Sequence, residues 1–167
     1  MAEGIDALVL DVKVGSGAFM KTVEDARELA TTMVGIGREM GRVVVARLTA
    51  MDQPLGRMVG NALEVRESVE ILQGQGPADT ATVVVELGAE MLVMGGVAPD
   101  LEAGRARIEA ARRDGTGLAK FQQLVQAQGG AADALDHLPE APDRRTVTAP
   151  RAGFIAGIDT ETVGVAA

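Results

Sequence analysis

The residues able to do chemistry in this chain are few, and they fall in two short stretches. The first is Gly15-Ser16-Gly17, which follows directly on a run of apolar residues. Two glycines around a serine let backbone amides converge, and amides at the foot of a helix favour an anion such as phosphate or a carboxylate. The same residues suit a tight structural turn. Gly-x-Gly is followed here by Ala18-Phe19, with no third glycine at the spacing of a dinucleotide fingerprint and no P-loop pattern, so both readings stand. The second stretch places Asp52 in a loop ahead of Glu64, Glu67 and Glu70. Their i, i+3 spacing sets carboxylates along one helical face. An oxygen-lined cation site fits that spacing, and so does a solvated acidic face paired with Arg57 and Arg66.

Two further groups carry less. His137, in Leu135-Asp136-His137-Leu138, has no nucleophile or proton donor in view that a general base would serve. Arg105, Arg107, Arg112 and Arg113 are interleaved with Glu102 and Glu109, the pattern of a charge-balanced, solvated helix face.

The elements that must hold these residues are legible in the apolar pattern. Ala7-Leu8-Val9-Leu10-Asp11-Val12 reads as a strand buried on both faces. After the glycine loop, Thr22 opens a helix with Asp25 at the capping-box position, and Gly41 closes it ahead of a second strand, Val43 to Leu48. Strand, helix and strand make a β-α-β crossover, so the two strands should be parallel. The loop from Thr49 to Gly56 then sits at the carboxyl end of a buried strand, where open α/β sheets place ligand contacts. Asn61 looks like the N-cap of a helix through Leu72, and three more helices follow, about Asp79 to Met94, Asp100 to Arg113 and Leu118 to Ala127.

The fold class expected is α/β, a partial mixed or parallel sheet flanked by helices, with the start of a carboxyl-terminal β-containing domain. Residues 1–138 form the α/β part and its helices, 139–145 a proline- and charge-rich linker, and 146–167 the opening of the second domain. Within that opening, Thr146 to Ala149 and Gly153 to Ile158 read as two short strands around a turn.

Composition excludes several classes of function. The chain has 167 residues, 47% of them hydrophobic, with no cysteine and one histidine. Thiol chemistry, disulfides and multi-histidine zinc cages are therefore out. A formal net charge of -8 and 2% aromatics disfavour a nucleic-acid partner, which needs clustered cations and stacking rings. No apolar run has membrane-span length and no basic n-region opens the chain, so a soluble cytoplasmic protein with no membrane partner is expected. With so few aromatics the core falls to Val, Leu, Ile, Met and Ala, with Phe19, Phe121 and Phe154 as its large anchors.

Taken together, Asp6-Ala7-Leu8-Val9-Leu10-Asp11-Val12-Lys13-Val14-Gly15-Ser16-Gly17-Ala18-Phe19-Met20 resembles a segment of the thymidine and pyrimidine-nucleoside phosphorylases. Met51-Asp52-Gln53-Pro54-Leu55-Gly56 and Val59-Gly60-Asn61-Ala62-Leu63-Glu64-Val65 are similar to a second segment in the same order and spacing, and further similarity runs from Ala127-Gln128-Gly129-Gly130 to Thr146-Val147-Thr148-Ala149. The resemblance implies a small helical domain and a larger α/β domain on a mixed sheet, assembled as a homodimer. It implies a reversible reaction in which phosphate, as co-substrate, attacks a pyrimidine nucleoside to give the free base and (deoxy)ribose 1-phosphate. In that family the phosphate-binding segments and the side chains that hold the pyrimidine precede the segment matching Asp6. The resemblance therefore assigns no catalytic or substrate-binding residue here, and the chain alone is expected to be inactive. It does assign a monovalent cation, potassium, to two backbone carbonyls and a carboxylate at Leu55, Met58 and Glu67, together with ligands from the family's segment preceding the one that matches Asp6, and with Met58 standing where the family has alanine. An oxygen-only shell suits such a hard ion. Two alternatives stand beside this reading. One is a non-catalytic remnant kept as a binding or interaction module. The other is a lipoyl- or biotinyl-like carrier fold over Thr146 to Ile158, which lacks a modifiable lysine because none follows Lys120.

Overall fold

The computed structural model describes residues 4–131 and 133–167. Strand β1 (Ala7–Val14) leads through helix α1 (Val23–Glu39) to strand β2 (Val43–Ala50), and the strands pair in parallel, Ala7 opposite Val43 through Val14 opposite Ala50. The expected crossover is present, with each strand two residues longer than its apolar run suggested. Branched residues favour the pleated surface. The pleat sends Leu10, Val12 and Val14 with Ala46 and Leu48 to one side, where they pack on Ala26 and Ala30 of α1. The other side carries Arg47, whose guanidinium pairs with Glu90 of helix α3 (Ala78–Met94). The two-stranded sheet is thus held between α1 and α3, as an α/β layer architecture requires.

Thr22 caps α1, its hydroxyl accepting from the Asp25 amide at 3.2 Å. Helix α2 (Asn61–Leu72) starts one residue earlier than an Asn61 cap would place it. Gly60 is the N-cap and Asn61 the first helical residue, while the Glu64 carboxylate reaches back to the Gly60 amide at 2.9 Å. That contact replaces the expected asparagine cap. Helices α4 (Leu101–Arg113) and α5 (Thr116–Ala127) follow, α4 capped by Asp100. Among the described residues no helix is long and apolar enough to cross a membrane.

Small residues set the packing of α3 on α4. Ala89 is wholly buried, and a Cβ on Gly104 would lie 3.0 Å from the Ala89 Cα and carbonyl oxygen. The opposing surface there is backbone, which cannot turn aside, so the helices approach as closely as they do only because residue 104 has no side chain. Gly104→Leu is expected to lower unfolding free energy by about 3 kcal/mol, despite leucine's better helix propensity, through overpacking. Urea denaturation measures this, and an unchanged midpoint would contradict the packing account.

Two expectations about the core and the tail fail. Phe19 and Phe154 anchor nothing: both are fully solvent-exposed, and the buried apolar residues are Val12, Ala18, Ala26, Ala30, Val44, Ile71, Val85, Ala89 and Ala98. The strands expected at Thr146 to Ala149 and Gly153 to Ile158 do not form. Both stretches lack regular structure and, apart from the half-buried Ile158, are exposed; two short strands alone are marginal in water. The chain instead ends in a helix, α6 (Thr160–Ala166), capped by Asp159.

Candidate functional site

The loops after β1 and β2 lie side by side at the carboxyl ends of adjacent parallel strands, the position of ligand sites in open α/β sheets. They are bonded into one unit. Met51 N donates to Val14 O at 2.7 Å, Gly17 N to Met51 O at 2.9 Å, and Ser16 N to the Asp52 carboxylate at 2.9 Å. Gly15 N donates to Met20 O and Ala18 N to Gly15 O. Every amide from Gly15 to Ala18 is therefore engaged within the protein. Of the two sequence readings of Gly15-Ser16-Gly17, the structural turn is the one formed, and Asp52 occupies the Ser16 amide that an anion would have used.

Beyond the turn the loop presents Phe19, completely exposed, between Lys13 and Lys21 at the mouth of an open cleft of about 650 Å³ that Met51 and Glu161 also line. Lys13 is fixed: its Nζ lies 2.7 Å from the Asp11 carboxylate and donates to Thr49 Oγ1 at 3.0 Å, and the Thr49 hydroxyl donates to Asp11. Asp11 and Lys13 share one face of β1, and Thr49 is the register partner of Lys13. A flat apolar ring beside a held cation suits a ligand with both an aromatic face and polar edges. Phe19 is thus a surface residue and not the core anchor that the scarcity of aromatics suggests. The signal that it lies outside was its place between glycine-rich loop and helix cap rather than within a periodic element.

Beside the second loop lies a cleft of about 380 Å³ bordered by Leu55, Met58 and Glu67. The structure brings these three sequence-assigned residues together. Glu67 is 5% exposed, and both its oxygens accept from the Arg57 amide, at 3.3 and 2.9 Å. Gly56 turns the backbone over this carboxylate with φ +76°, and any Cβ there would land on Glu67 Oε1. Glu64 and Glu70 do not join it. Glu64 is taken by the Gly60 amide, and among the described residues no group of three His, Cys, Asp or Glu side chains is placed to hold a metal. Arg66 pairs with Glu140 at 3.4 Å rather than with the acidic row. What remains is one buried carboxylate with the Leu55 and Met58 backbone nearby. Two buried hydroxyls on the same cleft, Thr80 Oγ1 and Thr160 Oγ1, have no hydrogen-bond partner among the described residues. A buried carboxylate with no cationic side-chain partner among the described residues, next to unpartnered hydroxyls, is an environment that a hard monovalent cation fits.

The remaining candidates resolve plainly. His137 is exposed, 3.4 Å from Asp133 on its own turn. Arg105 binds Glu86 through both carboxylate oxygens, at 2.6 and 2.8 Å, on the exterior. Arg112 departs from the solvated reading: it is buried, and donates to Ile71 O at 3.1 Å and to Glu109 at 2.8 Å, closing the end of α2.

Electrostatics tie this region to pH. The Gly56 amide, donating at 3.1 Å, holds the Asp79 carboxyl below its usual range, and Arg105 does the same for Glu86. A depressed carboxyl stabilises the fold above its unfolded-state pKa, and that contribution is lost as pH falls through the folded one. Melting temperature should therefore hold down to about pH 5 and decline below about pH 4. Asp79→Asn should make that decline shallower. An acid limb unaltered by the substitution would remove Asp79 from the account.

Comparison with known proteins bears on these loops. The glycosyl transferase family, a/b domain, matches residues 1–118, which include both loops and Glu67 but not Thr160, Val163 and Gly164 on the far side of its cleft. The DprA-like N-terminal HHH domain matches residues 102–163. The pyrimidine-nucleoside phosphorylase of Staphylococcus aureus (strain USA300) is 44% identical over 99% of this chain, and that of Bacillus subtilis (strain 168) is 45% identical over 100% of this chain. Each alignment covers 39% of the relative, so the chain spans about two-fifths of the length of the curated relatives it matches.

Proposed function

Because the chain belongs to the glycosyl transferase family through its a/b domain, we propose that it is a segment of a pyrimidine-nucleoside phosphorylase, contributing one wall of the nucleoside cleft and a cation-stabilised loop. The observation that carries this reading is the pair of bonded loops at the carboxyl ends of β1 and β2, which present Phe19 and Lys13 to an open cleft. In the reaction a phosphate oxygen forms a bond to the anomeric carbon as the glycosidic C–N bond breaks. The bonding pair leaves with the base, which gains a proton. The sugar carbon acquires oxocarbenium character, so catalysis rests on positioning and on stabilising the charge of the departing base. Phe19 offers a face for the pyrimidine ring, and Lys13, oriented by Asp11 and Thr49, adds positive potential at its edge.

Glu67 and the Leu55 and Met58 carbonyls would hold a potassium ion. Its charge would balance the buried carboxylate and stiffen the loop that carries Met51. Residues 1–138 then belong to the α/β portion, 139–145 to a linker and 146–167 to the start of a further domain, in a cytoplasmic homodimer when complete. Exposed apolar residues such as Ile36, Phe154 and Ile155 favour the competing reading of a binding module. They equally suit a surface that the rest of a larger protein covers.

The chain alone is expected to release no thymine from thymidine, with or without phosphate and potassium, over a long incubation. Phosphate-dependent release would overturn the view that its share of the enzyme is catalytically incomplete.

A further inference from the structure

From residue 139 onward the chain is exposed, apart from a half-buried Ile158, until Thr160, 6% exposed, turns inward at the start of α6. Its methyl group rests on Gly17, where a Cβ would lie 2.6 Å from Thr160 Cγ2 and 3.0 Å from Met51 O. Gly17 is bonded to Met51, and Lys21 links the same loop to α6, with its Nζ 2.7 Å from Ser16 O and 3.8 Å from Glu161. The carboxyl-terminal helix is thereby seated on both site loops, with Thr160 as its buried contact and the Lys21–Glu161 pair beside it. The other branch of the Thr160 side chain, Oγ1, is buried without a partner among the described residues, and Thr160 borders the cleft that Leu55, Met58 and Glu67 also line. A hydroxyl does not stay dry and unbonded without cost.

We propose that Thr160 supplies a further oxygen to the cation site at Glu67, so that cation binding and the seating of α6 are one coupled event. The inference rests on the cation reading given above, and it goes further by drawing a ligand from the carboxyl-terminal segment. The side chain is suited to both duties: the methyl fixes the helix on Gly17, and the hydroxyl adds to the carboxylate and carbonyl oxygens an oxygen of the kind hard cations take. By linkage, an ion that binds only the seated form stabilises it in proportion to its concentration. Potassium should then order α6, and loosening α6 should weaken potassium.

The test is a potassium titration of the intact chain at constant ionic strength, with tetramethylammonium as the balancing ion, read by thermal melting and by amide hydrogen exchange. For the wild-type chain, melting temperature should rise with potassium, and α6 and Gly15–Gly17 amides should gain protection. Thr160→Val keeps the methyl contact and removes the hydroxyl. It should weaken the apparent potassium affinity about tenfold or more, equivalent to about 1.4 kcal/mol per factor of ten. Thr160→Ser should restore most of it. Glu67→Gln should abolish the response. If neither the wild-type melt nor its exchange responds to potassium, the cation reading and this inference fall together. If the wild type responds and Glu67→Gln does not, while Thr160→Val titrates like wild type or α6 gains no protection, the Thr160 inference alone is wrong. The exchange of α6 in the wild-type chain decides the matter even if a variant fails to fold.

Discussion

Gly15→Ala should destabilise the chain by about 3 kcal/mol or more, enough to leave a domain of ordinary stability close to unfolding at 37 °C. Gly15 has φ +134°, a backbone conformation open essentially to glycine alone, and a Cβ there would sit 2.7 Å from Asp52 Oδ1 and 2.9 Å from the Asp52 amide. Strain and collision therefore act together. The side chain could swing away, but the amide belongs to the backbone that carries the second loop, so the two loops must separate. Separation costs the Gly17 to Met51 and Ser16 to Asp52 bonds as well. Thermal or urea unfolding measures the loss. Gly35→Ala, at an α1 position where a Cβ meets nothing within 4 Å, is the matched control and should be neutral or stabilising. Equal behaviour of the two variants would show that the loop junction is not as tight as the geometry requires.

Glu67→Ala should cost about 3 kcal/mol, for a different reason. The carboxylate is buried beneath Gly56 and accepts from the Arg57 amide with both oxygens. Truncation strands that amide, leaves the Thr80 hydroxyl facing an empty space and opens a cavity in the middle of the loop. Glu67→Gln keeps the volume and one acceptor, so it should retain most of the stability while losing any response to potassium. Chemical denaturation of the two variants in parallel separates packing from charge. Equal losses in both would assign the whole effect to the carboxylate's charge.

How far the sequence revealed this arrangement depended on whether a residue's partners were local. The β-α-β unit was legible because its signals lie within one element: branched apolar runs, the Thr22 cap, and Gly41 with its φ of +68° after α1. The glycine loop remained ambiguous because what decides it, Met51 and Asp52, lies more than thirty residues on. Helical spacing grouped Glu64, Glu67 and Glu70, yet burial separates them, since only Glu67 faces the loop amide of Arg57. Glu67 was singled out by resemblance and not by its period. Arg112 was misread for the same reason: its acceptor, Ile71 O, is on another helix.

At the carboxyl end, β propensity in Thr146–Ile158 suggested strands that have nothing to pair with. Helix α6 went unread because Thr160, Thr162, Val163, Gly164 and Val165 are poor helix formers. A cap signal was nonetheless present, since Asp159 accepts from the Thr162 amide at 3.0 Å. Thr160's burial against Gly17 supplies what propensity does not, in keeping with the rule that packing outweighs intrinsic preference.

The proposal that these loops form part of a nucleoside phosphorylase cleft is tested most directly by transplantation. The matched region of the Bacillus subtilis pyrimidine-nucleoside phosphorylase would be replaced by this chain, and thymine release from thymidine measured with and without phosphate. The account predicts a folded hybrid that releases thymine only when phosphate is present, with kcat/KM lowered about tenfold or more by Phe19→Ala through lost stacking on the base. A folded hybrid that releases no thymine, or one indifferent to Phe19→Ala, would contradict it.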